Sequence, residues 1–390
     1  MTEANNRDSN DRREPALKLA LVRQKYTAFG GAERFTDRAM DALKARGVDI
    51  SVVAREWRGD SPFEVIQSDP FHIGRRWRDS SFHQAACLAV ESGGFDLVQS
   101  HERIPCCDIY RAGDGLHRSW LEQRCRLRGG FSKMATKLSP YHRYTLRAEE
   151  RLFMSHRLKA VICNSQLVKS EIQQAFGLPD ERFEVIYTGV DANHFEPGKA
   201  RVRGAPLRES YGIDDSRPIM LLVGSGYERK GVEQFLRALA KTPEEIIGWV
   251  VGNDREPARF EKLAEELGVS QRVLFLGPQK DVVPFYGAAD ALVLPSLYDP
   301  FPNASLEAMA CGLPVVVSEK CGTVDIVNEG ENGFIRDALD IDGIASAIEQ
   351  IADPTNRASM SQAARNAVLP YGLTDMAERL MGLYRRLLNR

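Results

Sequence analysis

Short apolar runs, each followed by a longer amphipathic stretch, recur along this chain in two successive series. Leu17–Lys25, Val48–Ala54, Phe95–His101, Cys107–Ala112, Leu158–Asn164 and Phe183–Tyr187 read as the strands of the first series. Ile219–Val223, Ile246–Val251, Val273–Leu276, Ala291–Leu294 and Val315–Val317 read as those of the second. Such short runs, rich in Val, Ile and Leu, suit strands covered on both faces. The helix-length stretches between them are the crossovers that parallel neighbours require. The expected fold class is therefore α/β, with two doubly wound parallel-sheet domains. Two such sheets facing each other leave a cleft outside the carboxyl ends of their strands, where ligands bind in this architecture.

Between the two series, Ala192–Arg217 loses periodicity and collects Pro197, Gly198, Gly204 and Pro206, the pattern of a linker. The 390 residues suit two domains. Residues 1–16 are polar, carry both charge signs and lack the apolar core of a signal peptide, so a flexible tail is expected there. At the other end, Met376, Leu380, Leu383, Tyr384 and Leu387 have helical spacing within Asp375–Arg390. Apolar runs such as Ile219–Val223 fall far short of the roughly 20 residues a membrane span needs.

Seven cysteines, at 87, 106, 107, 125, 163, 311 and 321, form no Cys-x-x-Cys pair. Their odd number and scattered spacing predict reduced thiols, with no disulfide framework or zinc site and with Cys106 and Cys107 packed as small apolar residues. Charge is less even. Arg118 to Arg147 holds eight Lys or Arg and one acid, net +7, in a chain of net −2, which leaves −9 for the rest. That asymmetry points to a localised anionic partner.

Three segments carry chemistry. The first, Gly224-Ser-Gly226-Tyr-Glu-Arg229-Lys230-Gly231, follows a strand and opens a helix. Its glycines let backbone approach a ligand, the helix start offers unpaired N–H groups, and two adjacent cations add what a diphosphate needs. It is neither a Walker loop nor an intact dinucleotide fingerprint, because Arg229 stands where the third glycine belongs. The second runs from Pro295 to Pro314 and contains Asp299 in a proline-rich loop and Glu307 in the helix that follows. Ser305 is a candidate N-cap. Carboxylates so placed can accept hydrogen bonds from sugar and ribose hydroxyls. The third is the glycine loop Phe29-Gly30-Gly31-Ala32-Glu33-Arg34 at the start of a helix expected over Ala32–Arg46.

In order, Phe29–Arg34, Val161–Ser165, Tyr187-Thr-Gly189-Val-Asp191, Arg229-Lys-Gly231 and Asp299–Pro314 resemble the retaining glycosyltransferases of family four, which have the GT-B fold. Glu102-Arg-Ile-Pro105, Asp108-Ile-Tyr110 and Ala112-Gly-Asp114 resemble the lipopolysaccharide core glucosyltransferase branch. The resemblance implies a tail over 1–16, an acceptor-binding domain over 17–200, a nucleotide-sugar-binding domain over 201–370 and a helix over 371–390 crossing back to the first domain. It implies that Arg229 and Lys230 hold the donor diphosphate, Glu307 the ribose and Asp299 the sugar hydroxyls. Gly30, Gly31, Gly226, Asn303, Ala304 and Ser305 line the donor, and Asp114 lies below the donor sugar, with His101 as runner-up. Asp299 stands where the family has Glu and is one methylene shorter. The implied catalytic set is Asp114, Asp299 and Lys230, with no metal and no cofactor. The implied donor is a nucleotide-diphosphate sugar, best matched by UDP-glucose, and the acceptor a lipid-linked saccharide such as inner-core heptose.

Arg118, Trp120, Arg124, Arg126, Arg128, Lys133 and Lys137 mix cations with an aromatic ring, a composition suited to an anionic membrane surface. The expected setting is cytoplasmic and peripheral to the membrane, with no nucleic-acid partner. Other readings of the same chain are exopolysaccharide or other glycan assembly with a different nucleotide sugar, or a sugar-nucleotide epimerase. A nicotinamide dehydrogenase and an inactive scaffold complete the range.

Overall fold

The computed structural model describes residues 17–26, 40, 43–57 and 63–388, leaving aside the side chains of Tyr26 and of residues 128–137. Seven described strands form the first parallel sheet: β1 Lys18–Val22, β2 Asp49–Ala54, β3 Glu64–Gln67, β4 Leu97–Ser100, β5 Ile109–Ala112, β6 Ala160–Cys163 and β7 Phe183–Val185. Their order is β3-β2-β1-β4-β5-β6-β7. Six strands form the second: β8 Ile219–Val223, β9 Ile247–Val251, β10 Val273–Gly277, β11 Ala291–Leu294, β12 Val315–Ser318 and β13 Gly333–Arg336, in the order β10-β9-β8-β11-β12-β13. The order reverses beside β1 in one sheet and beside β8 in the other. Those are the switch points at which crevices open. Pairing is parallel in both, for example Leu19 with Ile50 and Leu97, and Met220 with Gly248 and Ala291.

The helices used below are α1 Gly74–Ser92, α2 His117–Leu138, α3 Pro140–Phe153, α4 Gln166–Phe176, α5 Pro197–Ser210, α6 Tyr227–Lys230, α7 Asn303–Ala310 and α8 Leu373–Leu388. Apolar clusters cover both faces of the first sheet. One of them includes Met376, Leu380, Leu383 and Tyr384 of α8 packed with Leu19, Leu21, Ile109 and Ile162. Tyr384 also donates to Gln99 Oε1 at 2.8 Å. The last helix therefore docks on the N-terminal sheet. A single larger cluster surrounds the second sheet.

Three expectations change. The stretch Ala192–Arg217 is not a plain linker, since it contains α5. Pro197 takes the first turn of that helix, where no N–H is needed, and Glu196 caps it. Gly204 and Gly287 let α5 pass close to Val283–Ala288. A Cβ on Gly204 would lie 2.2 Å from Ala288 N, and one on Gly287 1.7 Å from Ala200 O. The edge strands β3 and β13 escape the sequence reading because each is four residues long and half polar or glycine-bearing. Finally, Cys87 of α1 and Cys106 form a disulfide, with Cα atoms 5.7 Å apart. The two are brought together where α1 packs beside the β4–β5 loop, a proximity that spacing does not encode. Cys107 is buried, as expected, and its thiol donates to Ile104 O.

Candidate functional site

A cleft of about 740 Å³ opens between the carboxyl ends of the two sheets, with walls from both domains. On the C-terminal side, β8 ends at Val223 and the chain turns through Gly224 and Ser225 into the short helix α6. Lys230, its last residue, is buried, and its Nζ lies 2.5 Å from Asp299 Oδ2. Arg229 Nη1 is 3.4 Å from the same oxygen and stays more open to the cleft. Burial alone would raise the Asp299 carboxyl, but Lys230 and Arg229 outweigh it and hold its pKa below the ordinary value. Asp299 is fixed through its backbone as well: its N–H donates to Lys320 O at 2.9 Å, and its carbonyl accepts from Gly322 at 2.8 Å.

Pro300 to Pro302 then lead into α7, which presents Asn303, Ala304 and Glu307 to the cleft. Glu307 Oε2 accepts from the Tyr286 hydroxyl at 3.0 Å. Ser305 is corrected in two respects. The helix starts at Asn303, so Ser305 sits inside its first turn rather than at the cap. Its side chain is fully buried and not on the cleft wall. Gly226 also lies off the wall, and its N–H donates to Asn253 O at 2.9 Å; Gly224 and Ser225 take the place expected for it. Gly30 and Gly31 lie outside the described residues, as does most of the helix expected over Ala32–Arg46.

The N-terminal wall comes from the loops after β4 and β5. Asp114 is exposed on the lip that separates the cleft from an adjoining cavity of about 290 Å³. That cavity is lined by Arg23, Arg78, His101, Glu102, Arg111 and Asn164, among others. His101 Nδ1 stands 3.3 Å from Arg23 Nη1, and burial together with Arg111 and Arg23 keeps this ring neutral, its pKa well below the usual value. Arg111 is itself pushed down to about 9, by burial first and then by Arg23. Arg103 lines the main cleft and donates to the buried Glu149 at 3.0 Å, which also accepts from the amide of His117 at 2.7 Å.

Helix α2 follows this loop, and its first turns face inward. His117 and Trp120 line the cleft. Arg124 reaches Glu228 at 3.4 Å, and Arg126 reaches Asp337 at 2.8 Å, both in the C-terminal domain. This corrects the placement of Trp120, Arg124 and Arg126 on an outward lipid-facing surface: the interdomain ion pairs turn that side of the helix toward its partner domain. Arg118 is exposed, and the side chains of Arg128, Lys133 and Lys137 lie outside the described ones.

Tyr298 closes the cleft between domains. Its hydroxyl donates to Glu171 of α4 at 2.8 Å and accepts from the Leu116 amide at 3.0 Å. Gly115, at φ +64°, is the residue it meets: a Cβ there would lie 2.1 Å from the hydroxyl.

Sequence comparison matches residues 29–194 to the family described as Glycosyltransferase Family 4 and residues 205–367 to Glycosyl transferases group 1. The chain belongs to the group 1 glycosyltransferases of GT-B fold. The lipopolysaccharide glucosyltransferase WaaG of Escherichia coli is 27% identical over 360 residues, covering 90% of this chain and 89% of its own. The lipopolysaccharide core biosynthesis glycosyltransferase LpsE of Rhizobium meliloti is 29% identical over 338 residues, covering 85% and 89%. The crystal structure of WaaG superposes with a TM-score of 0.80 at 25% identity, covering 94% of this chain and 99% of that one. HepE of Anabaena, in complex with UDP and glucose, shares the fold with a TM-score of 0.73 at 21% identity, covering 94% and 99%. The cleft is therefore the candidate active site of a glycosyltransferase.

The sequence reading had singled out Asp299, Lys230, Arg229, Glu307, Asn303, Ala304 and Asp114, and all of them meet on this cleft. It missed Arg103, Tyr298, Gly115 and the inward role of Trp120. Arg103 lay within the quoted Glu102-Arg-Ile-Pro105 segment, so its signal was present; the pairing of Gly115 with Tyr298 had none.

Proposed function

We propose that this protein is a retaining hexosyltransferase that moves glucose from UDP-glucose to a lipid-linked saccharide of the lipopolysaccharide core type. The observation that carries the proposal is the convergence of Arg229, Lys230 and Asp299 on the cleft floor, facing Asp114 across the domain boundary. The donor sugar and the acceptor class rest on the similarity to WaaG and LpsE.

In this reading the diphosphate lies against α6, where Arg229 forms the bidentate partner and Lys230 the point charge. These cations offset the charge that builds on the leaving diphosphate and so take the part a metal ion plays elsewhere. Glu307, held by Tyr286, accepts from the ribose hydroxyls. Asp299 accepts from the donor sugar while remaining paired with Lys230, which links sugar position to phosphate position. The bond from the anomeric carbon to the phosphate oxygen breaks through an oxocarbenium-like state. The acceptor hydroxyl then adds on the same face, and its proton passes to the departing phosphate oxygen. Asp114, on the lip toward the adjoining cavity, orients that hydroxyl. We propose a cytoplasmic setting, peripheral to the membrane that carries the acceptor; no helix among the described residues is long and apolar enough to cross a bilayer.

The test is transfer of labelled glucose from UDP-glucose to heptose-terminated core lipopolysaccharide, with and without EDTA, and with the product anomer read by NMR. An α-linked product at an undiminished rate in EDTA is expected. An inverted product would overturn the retaining step, and loss of activity in EDTA the metal independence. Turnover of the donor without acceptor would favour an epimerase.

A further inference from the structure

The cavity of about 290 Å³ beside the cleft carries charge that the donor chemistry does not explain. Strands β1, β4, β5 and β6 lie side by side in the first sheet, so their carboxyl ends bring Arg23, His101, Arg111 and Asn164 to one wall. Side chains alternate along a strand, so Arg111 takes the same face of β5 as Ile109. Ile109 packs in the core with α8, and two residues later a guanidinium, 8% exposed, stands where the strand ends at the cavity. The cavity shares Gly113, Asp114, Phe301 and Asn303 with the cleft, so a ligand in it abuts the place proposed for the donor sugar. Its volume falls at the small end of ligand pockets, about 300–1,000 Å³, and suits one sugar unit.

The cations of this wall differ in how their charge is met. Arg78 of α1 is paired with Asp79 at 2.8 Å, and Lys25 with Glu56 at 3.0 Å. Arg23 Nε donates to Lys25 O at 3.1 Å and its Nη1 to His101 Nδ1 at 3.3 Å, both uncharged acceptors. Arg103, one loop away, shows what a carboxylate does for a desolvated guanidinium: against burial, Tyr110, Glu149 of α3 and Asp114 hold it above its ordinary value. Arg111 goes the other way, to about 9, because burial and Arg23 outweigh Asp114. Two neighbouring guanidiniums thus face one small cavity. Its wall carries the acids Glu102, engaged by the Gln24 amide at 2.9 Å, and Asp114, exposed on the lip. An oxyanion lodged between Arg23 and Arg111 would relieve their mutual repulsion and accept charge-assisted hydrogen bonds from both.

We infer that this cavity is an acceptor subsite for a sugar unit bearing an anionic substituent, a phosphate ester or a carboxylate, whose oxyanion is held by Arg23 and Arg111 while Asp114 orients the attacking hydroxyl. The inference rests on the glycosyltransfer reading and narrows its acceptor. The anion then acts as a specificity element: a neutral acceptor must fill the cavity without answering the two cations and binds more weakly for it.

The test is calorimetry on the UDP-loaded full chain with three kinds of probe. They are methyl heptoside, its phosphate monoesters at each ring position in turn, and a disaccharide joining heptose to a carboxylate-bearing sugar. One of the anionic probes should bind about tenfold or more tighter than the neutral heptoside, the size of one charge-assisted contact. The preferred probe names the anion as phosphate or carboxylate. The same preference should appear in KM for transfer from UDP-glucose, and Arg23→Gln and Arg111→Gln should each bring the ratio close to one. Circular dichroism shows whether each variant is folded; if Arg111→Gln is not, Arg23→Gln, at a half-buried position, carries the test. Equal binding of neutral and anionic probes, or a preference that survives in the folded variants, would overturn the inference. So would loss of UDP affinity in a folded variant, which would assign these guanidiniums to the donor diphosphate. UDP binding and hydrolysis of UDP-glucose by the unaltered chain are measured separately, so a failed acceptor subsite leaves the glycosyltransfer reading standing, whereas absence of UDP binding would strike that reading itself.

Discussion

Lys230 Nζ lies 2.5 Å from Asp299 Oδ2 at the floor of the cleft, and both side chains are more than nine-tenths buried. A buried charge separated from its partner is costly, and this pair is the structural centre of the donor site. Lys230→Ala should destabilise the fold by about 3–5 kcal/mol, because it leaves Asp299 buried and short of its main counter-charge. The same change should weaken UDP binding by about tenfold or more, given about 1.5–3 kcal/mol for a charge-assisted bond. Asp299→Asn should behave differently. It frees a cation beside the diphosphate, so UDP affinity is retained or increased while transfer falls. Calorimetry with UDP and a transfer assay check both; equal losses of binding and transfer in Asp299→Asn would refute the division of roles.

Glu307 provides the contrast. Its carboxylate is oriented by the Tyr286 hydroxyl at 3.0 Å and faces the cleft from α7. Glu307→Gln should weaken UDP itself, and Tyr286→Phe should do so by less, about 0.5–1.5 kcal/mol for one neutral hydrogen bond. Titration of both variants with UDP and with uridine monophosphate checks this. A ribose contact should affect the two ligands alike, whereas loss confined to UDP would place Glu307 at the phosphates.

These residues were legible in the sequence because their chemistry is local. Gly224 to Gly231 and Asp299 to Glu307 are each contiguous with a strand end and a helix start, so residue type and spacing carry most of the information. What was not legible depends on packing between distant segments. Glu171 meets Tyr298, Arg126 meets Asp337, and Cys87 meets Cys106 only after the helices are laid on the sheets. The basic run around α2 had the composition of a membrane surface, but composition does not say which way a helix turns. The acids that turn it, Glu228 and Asp337, lie more than a hundred residues away. Ser305 shows the same limit on a smaller scale, since a cap residue and a buried first-turn residue differ only by where the helix begins.

Stability should fall as the medium is acidified below the ordinary histidine range. His83 is pushed down to about 4, by burial above all. His117 is pushed down to about 3, by burial, Arg103 and His142. In the unfolded chain both rings bind a proton near pH 6.5, so between that value and the lowered ones the unfolded state holds more protons. Their contribution is complete above pH 6.5 and is lost progressively as pH falls toward 4 and then 3. Melting temperatures measured across this window should decline, and His83→Gln and His117→Gln should each flatten the decline. A melting temperature independent of pH over the same range would contradict the burial of these rings as neutral groups.

The approach of the two domains at Gly115 should be separable from ordinary backbone strain. Gly115 and Gly94 share a left-handed conformation, φ +64° and +63°, but a Cβ at 94 meets nothing within 4 Å, whereas one at 115 would lie 2.1 Å from the Tyr298 hydroxyl. Gly94→Ala should therefore lose only the backbone term, about 1 kcal/mol, with transfer unchanged. Gly115→Ala must also displace Tyr298 from Leu116 and Glu171, which leaves buried donors and acceptors unpaired at about 1–3 kcal/mol each. Because Tyr298 adjoins Asp299, the displacement should spread to the Lys230 pair and lower both UDP affinity and transfer. Thermal melts and UDP calorimetry on the two variants side by side check this. If both lose the same stability and neither changes UDP affinity, the contact between Gly115 and Tyr298 does not set the geometry of the donor site.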